Sequence, residues 1–271
     1  MGFLRWVAIE SGMAAIMSHV ASVVEPVLAM RGIRKTFSRG LARAIRRTAA
    51  LLDVDLDLDP GEIVGVAGAE AAGKTTLLQC AAGLLRVDAG EVQWFGKTFP
   101  GGGLVPGAAY VPAVPVFYPF LTVRDVIAYR AGRDLSPWEK PAIAVGRSLE
   151  ALELSPLAGE RVALLSRAES KRLAVAEALA SRPRVMLVDT CTLDMSAAVS
   201  DITCRALASF AASGGSVMVA IRDASAVASI AMRLVLLREG RISTPFVRAI
   251  SGDGNPPMVP LTSRFVAEKL H

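Results

Sequence analysis

Nine residues, Gly68-Ala69-Glu70-Ala71-Ala72-Gly73-Lys74-Thr75-Thr76, constrain this chain more than any other stretch. An apolar run, Ile63–Ala67, precedes them, and the Ala/Leu-rich stretch Thr75–Leu85 follows. The order predicted is a buried strand, a glycine-bounded loop and a helix, and the pattern G-x-x-x-x-G-K-[ST] suits a polyphosphate. Backbone N–H groups of a tight loop at a helix N-terminus can surround phosphate oxygens. Lys74 adds a point charge for the β and γ phosphates, and the Thr75 hydroxyl can ligate Mg²⁺. Residues 68–76 are therefore the candidate nucleotide contacts. Two of them sit awkwardly: Glu70 brings negative charge toward the phosphates, and Ala71 is costly if that position needs positive φ.

The surroundings alternate between strand-like and helix-like segments. Val27–Thr36 reads as a strand, followed by a basic insert, Ser38–Ala50, with Arg39, Arg43, Arg46 and Arg47. Leu52–Asp59 alternates aliphatic and acidic residues, the period of a half-buried strand with a solvated acidic face. Val92–Phe95, Ala109–Val111, Val185–Val188, Ser216–Ile221 and Arg233–Leu237 read as further strands. Thr122 and Asp125 form a capping-box pattern for a helix from Val123 to about Ala131. Residues 133–181 read as mostly helical with breaks at Pro137, Pro141 and Pro156, and helices are expected at 196–212 and 224–231. Such alternation predicts an α/β fold with a mostly parallel sheet covered by helices.

Composition raises the question of a membrane span, because 52% of the 271 residues are hydrophobic and the mean hydropathy is +0.44. The longest uncharged stretch, Thr98–Val123, carries Pro100, Pro106, Pro112, Pro115 and Pro119, so it cannot be one helix. No spanning segment is expected, and the chain is not itself a pore. The net charge of +5 rests on 24 Arg against 6 Lys, which fits a compositional bias as well as an acidic partner. Cys80, Cys191 and Cys204 match no metal spacing and suit a reducing compartment. With only His19 and His271, histidine chemistry is nearly excluded. Phe3, Val7, Ala14, Met17, Ala21 and Val24 recur at helical spacing, so residues 1–26 read as an N-terminal amphipathic extension.

From residue 27 to about 245 the order of landmarks resembles the ATP-binding subunits of ABC transporters. Phe37 falls where that family places an aromatic against adenine. The phosphate loop, AGEVQWFGK and YVPAVPVFYPFLTVRDV follow. LSRAESKRLAVAEALASRPRVMLVD resembles the signature helix running into the second magnesium motif, and CTLD at 191–194 resembles the dimer-contacting loop. The resemblance implies a P-loop NTPase of ABC type: a mostly parallel core, an antiparallel β subdomain and a helical signature subdomain at about 123–181. Residues 246–271 then form a C-terminal tail, expected as a loop and a short amphipathic segment. It also implies ATP and Mg²⁺ as cofactors, with Thr75 and Asp189 as metal ligands. The implied partners are a membrane permease and a second ATP-binding subunit, identical or different. The implied location is the cytoplasmic face of a membrane. A nucleic-acid role finds no zinc cluster, coiled coil or tandem ATPase domain to support it.

Departures from the family pattern cluster on hydrolysis and coupling. Where the family has a glutamate after the aspartate, this chain has Thr190, and loss of a general base costs roughly 10²–10⁴-fold. The switch histidine aligns with Arg222, which has five donors and no acceptor. The glutamine that reaches Mg²⁺ and reports to the permease is Ala113. The signature LSGGQ reads Leu165-Ser166-Arg167-Ala168-Glu169, without its glycines. The expectation is an ATP-binding subunit whose hydrolysis is reduced or absent. The alternative is a non-hydrolysing module with a structural or regulatory role in a heteromeric complex. Arg222 is either an added phosphate clamp that offsets Glu70 or a surface arginine without function. Val114–Val126, with Phe117, Tyr118 and Phe120, is the expected permease-facing stretch.

Overall fold

The computed structural model describes residues 25–39, 46–134, 141–189, 197–222, 227, 229–243, 246–248 and 258–260. The expected helix of the N-terminal extension, Thr190, the 191–194 loop and most of the helix expected at 224–231 lie outside these residues.

Two sheets stack around the phosphate loop. The smaller is antiparallel and contains β1 (Leu28–Arg39), β2 (Arg46–Leu58), β4 (Ala89–Trp94) and β5 (Lys97–Thr98), in the order β2-β1-β4-β5. The alternation of Leu52–Asp59 holds: Val54, Leu56 and Leu58 are buried, while Asp53, Asp55 and Asp59 face solvent. Those acids serve the neighbouring strand. Asp57 takes a two-armed contact from Arg31, Asp53 pairs with Arg34 at 3.1 Å, and Asp55 accepts from the Gly32 N–H at 2.7 Å. The basic insert is not a separate segment over its described part. Residues 46–50 extend β2, and β1 runs to Arg39 beside it, because Thr36, Phe37 and Ser38 find ladder partners in Ala49, Thr48 and Arg47.

The larger sheet has a parallel core ordered β9-β3-β8-β7-β6, formed by Arg233–Arg238, Ile63–Ala67, Ser216–Ile221, Val185–Asp189 and Ala108–Val111. Strands β3, β7 and β8 are buried at every position, as expected for parallel strands covered on both faces. Side-chain alternation divides them between two cores. Val64, Val66, Val185, Leu187, Met218 and Ala220 pack toward the antiparallel sheet and helix α1 (Lys74–Ala81). Met186, Val188, Val217, Val219 and Ile221 pack toward four helices: α2 (Val123–Asp134), α3 (Pro141–Ala151), α4 (Arg167–Ala180) and α5 (Ala197–Ala212).

Several boundaries move from expectation for local reasons. Helix α1 stops at Ala81, not Leu85, because Gly83 turns at φ +77° and its N–H donates to Cys80 O. Pro141 opens α3 and does not break it, since the first helical turn needs no N–H from that residue. Beyond residue 245, where a loop and a short amphipathic segment were expected, the described residues form strands. β11 (Phe246–Arg248) joins β9 antiparallel and β12 (Met258–Pro260) joins β11, while β10 (Arg241–Ile242) turns back on β9. Among the described residues, no helix is long and apolar enough to cross a membrane.

Candidate nucleotide site

The loop after β3 is shaped by backbone contacts that admit only glycine at two positions. A Cβ on Gly68 would lie 2.3 Å from Leu237 O, and one on Gly73 would lie 2.4 Å from Ala50 O. Gly73 also sits at φ +105°, where it ends the loop and begins α1. Ala71 adopts φ +60°, so the loop does hold an alanine in left-handed backbone. That geometry costs roughly 1–2 kcal/mol relative to glycine. Gly240 was not singled out in the sequence, yet it ties the loop to the smaller sheet: its N–H donates to Ala72 O, and its carbonyl accepts from Leu52 N–H.

The resulting cradle is electropositive. No side chain caps α1, and no acid lies in its first turn, so its N-terminal N–H groups and dipole remain open to an anion. Lys74 is buried, and its ammonium folds into the loop to donate to Gly68 O at 2.7 Å and Ala69 O at 2.6 Å. Thr75 and Thr76 are half-buried on the following turn. Phe37 stands on β1 opposite Thr48, and β2 continues from Thr48 to Ala50, the residue that covers Gly73. At 43% exposure Phe37 has a face available for a planar ring, with the Lys35 ammonium 5.9 Å from its centre.

Asp189 ends β7, fully buried, and the Tyr110 hydroxyl approaches its carboxylate at 3.4 Å. Arg222 follows directly on β8. Because Ala67 is in register with Ile221, and Asp189 with Ala220, all three elements emerge at one edge of the sheet. This carboxyl-end edge is where open α/β sheets bind ligands. Arg222 does not project alone from it. Its guanidinium donates to the Glu70 carboxylate at 3.2 Å, across the mouth of the loop.

The elements expected to face a permease or a second subunit are built differently. Lys171, on α4, is completely buried, and its ammonium donates to the carbonyls of Pro112 at 2.8 Å, Ala113 at 3.4 Å and Asp189. It therefore joins the helical subdomain to the loop after β6 and to the end of β7. Sequence reasoning passed over this lysine because a charged residue on an Ala-rich helix reads as solvated. Ser166 is the N-cap of α4, and it exchanges hydrogen bonds with Glu169. Those bonds hold the Glu169 carboxyl below its usual range. The spacing S-x-x-E signals such a box. Of the three aromatics in the loop after β6, Phe117 packs on the core. Tyr118 and Phe120 are exposed and lie 5.7 Å apart, flanked by exposed Val114 and Val116. Cys80 and Cys204 are buried, and burial pushes the Cys80 thiol up to about 11, so thiolate chemistry has no place at Cys80.

A glycine-framed loop with a buried lysine, at the edge of a parallel sheet and ahead of a helix, defines the P-loop nucleotide-binding class. The family description "ABC transporter" matches residues 51–193. The chain is 35% identical over 214 residues to a Halobacterium salinarum protein named as an ABC transporter ATP-binding protein, covering 76% of this chain and 90% of that one. It is 32% identical over 230 residues to the lipoprotein-releasing system ATP-binding protein LolD of Ruegeria pomeroyi, covering 81% and 98%. Its fold matches the dimeric structure of MJ0796, a bacterial ABC transporter cassette, with a TM-score of 0.70 at 21% identity over 80% of this chain and 97% of that one. This chain belongs to the family of ABC transporter ATP-binding proteins.

Proposed function

We propose that this protein holds Mg²⁺–ATP as the ATP-binding subunit of an ABC transporter docked on a membrane permease, with hydrolysis reduced or absent. The observation that carries this reading is the contrast along one sheet edge. Lys74, Thr75 and Asp189 stand ready to bind, while Arg222 is tied to Glu70 and Ala113 offers no polar side chain.

The residues fit both groups. Close backbone approach at Gly68 and Gly73 leaves a concave run of N–H groups, and Lys74 can exchange its two loop carbonyls for phosphate oxygens. Thr75 and Asp189 supply hard oxygen donors, and a single carboxylate suits an ion that takes its other ligands from water and phosphate. Held by Thr75 and Asp189, Mg²⁺ would supply positive charge that offsets the phosphates. Phe37 is the adenine-facing aromatic. Thr190 is no useful base near neutral pH, and Arg222 has no acceptor atom, so neither draws a proton from an attacking water.

Residues 27–245 would form the ATP-binding unit, with 1–26 as an extension and 246–271 as a tail. The unit would pair with an identical or different ATP-binding subunit at the cytoplasmic face of a membrane. Tyr118, Phe120, Val114 and Val116 are the permease-facing patch, since large exposed apolar side chains grouped on one loop mark an interaction site. The second reading, a non-hydrolysing regulatory module, is favoured by the Ser166–Glu169 box, which occupies the signature serine with helix capping. ATP affinity and steady-state hydrolysis, measured together on the full chain with and without its membrane partner, test both readings. Binding abolished by Lys74→Ala, with turnover near background in both settings, is expected. Brisk turnover sensitive to Lys74→Ala would overturn the reduced-hydrolysis reading, and no ATP binding would overturn the reading altogether.

A further inference from the structure

We propose that the Glu70–Arg222 ion pair is a counter-ion latch that makes the site selective for a nucleoside triphosphate over the diphosphate, an inference that rests on the nucleotide-binding reading above. The pair joins residues 152 positions apart in sequence, one in the phosphate loop and one at the end of the adjacent strand. Its side chains are 85% and 59% exposed, and a pair so exposed contributes little to holding the fold together. Its position gives it another use.

Arg222 leaves β8, which lies between β3, the strand that feeds the phosphate loop, and β7, which ends in Asp189. Thr75 and Asp189 would hold a metal that offsets the charge of the outer phosphates, and because Asp189 ends β7 the terminal phosphate would lie on the β7–β8 side of the loop. That is the side Arg222 occupies. Glu70 accepts from the guanidinium at the rim at 3.2 Å. A terminal phosphate offers a more highly charged acceptor with two oxygens in reach of the planar fork, so Arg222 can exchange Glu70 for it. A diphosphate ends one group short of the rim, leaving Arg222 on Glu70 and the Glu70 charge neutralised. Glu70 therefore competes with the terminal phosphate for one cation, and its awkward placement in the loop acquires a purpose.

A different explanation makes a different prediction. If Arg222 served only to cancel the Glu70 charge, removing both side chains would restore wild-type binding of both nucleotides. ATP and ADP affinities of the full chain, of Glu70→Gln, of Arg222→Ala and of the double variant decide between them, with Lys74→Ala as the control for the site itself. The latch predicts that Glu70→Gln tightens ATP by about threefold to tenfold and changes ADP by less than about twofold. In the Glu70→Gln background, adding Arg222→Ala is expected to weaken ATP about tenfold and to leave ADP within about twofold. A double variant that binds ATP as Glu70→Gln does, or parallel shifts of both nucleotides in every variant, overturns the latch while leaving the nucleotide site intact. Failure of the wild-type chain to bind either nucleotide overturns the site and the latch together.

Discussion

The phosphate loop and the coupling elements meet at one edge of one sheet, yet the fold constrains them very differently. On the β3 side, identity is enforced by packing. Gly68 lies against Leu237 O, Gly73 against Ala50 O, and Gly240 bridges Ala72 to Leu52, so a change at any of them disturbs backbone as well as function. On the β7–β8 side, the functional positions are side-chain tips. Ala113 is half-buried on a loop and Arg222 is exposed, so neither substitution costs the core anything. A binding cradle made of main chain persists because the fold depends on it. Positions that act through a few side-chain atoms can change one residue at a time without disturbing the fold.

The largest test of that contrast is Gly73→Ala. A methyl group at φ +105° and 2.4 Å from Ala50 O must push β2 off the loop. Thermal or urea unfolding should show a loss of about 3 kcal/mol, together with lost nucleotide binding. An unchanged midpoint would mean that packing does not enforce the loop. Next is Lys171→Met, which keeps the stem but strips donors from Pro112, Ala113 and Asp189 carbonyls. A loss of about 2–3 kcal/mol is expected, because a fully buried charged donor and its hydrogen bonds are removed. If stability held, the helical subdomain would be joined to the β7 edge by other means.

These two residues also measure what could be read beforehand. Gly73 was legible, since a glycine before Lys-Thr at a strand–helix junction has one common use. Lys171 was not, because its burial depends on where α4 lands against β6 and β7, a tertiary fact that helical periodicity does not contain. The parallel core was readable from short aliphatic runs spaced by helices, and the Leu52–Asp59 alternation showed a half-buried strand, but the antiparallel sheet around it was implied only by the family resemblance. The strands at 246–248 and 258–260 were hidden by glycine- and proline-rich surroundings, and they form because β9 offers an edge. Sequence alone suggested that the Arg222 charge could offset Glu70, and the in-register pairing of β3 with β8 explains why the two side chains meet.

Smaller effects refine the comparison. Ser166→Ala should cost about 1 kcal/mol, since it removes an N-cap at the start of α4. The Glu169 side of that box depends on pH in a fixed direction. Its carboxyl is held below its ordinary value, so the stabilisation is present above that value and is lost as pH falls through the folded one. The wild-type advantage over Ser166→Ala in urea midpoint should therefore be full near neutral pH and shrink in acid. A gap that stayed constant, or widened, would remove the charged cap from the account. Smallest of all, Ala71→Gly relieves a residue at φ +60° but loosens the unfolded chain, for a net gain of about 0.5 kcal/mol. A loss on that change would mean the alanine methyl contributes packing.

The central claim is that this chain binds ATP and does not efficiently cleave it. The most direct measurement is the identity of the nucleotide retained after the full chain is incubated with Mg²⁺–ATP, separated from free nucleotide and denatured. The account predicts bound ATP, with none retained by Lys74→Ala, and the same result for Thr190→Glu, because Arg222 and Ala113 remain. Rapid conversion to ADP by the wild-type chain, abolished by Lys74→Ala, would contradict it.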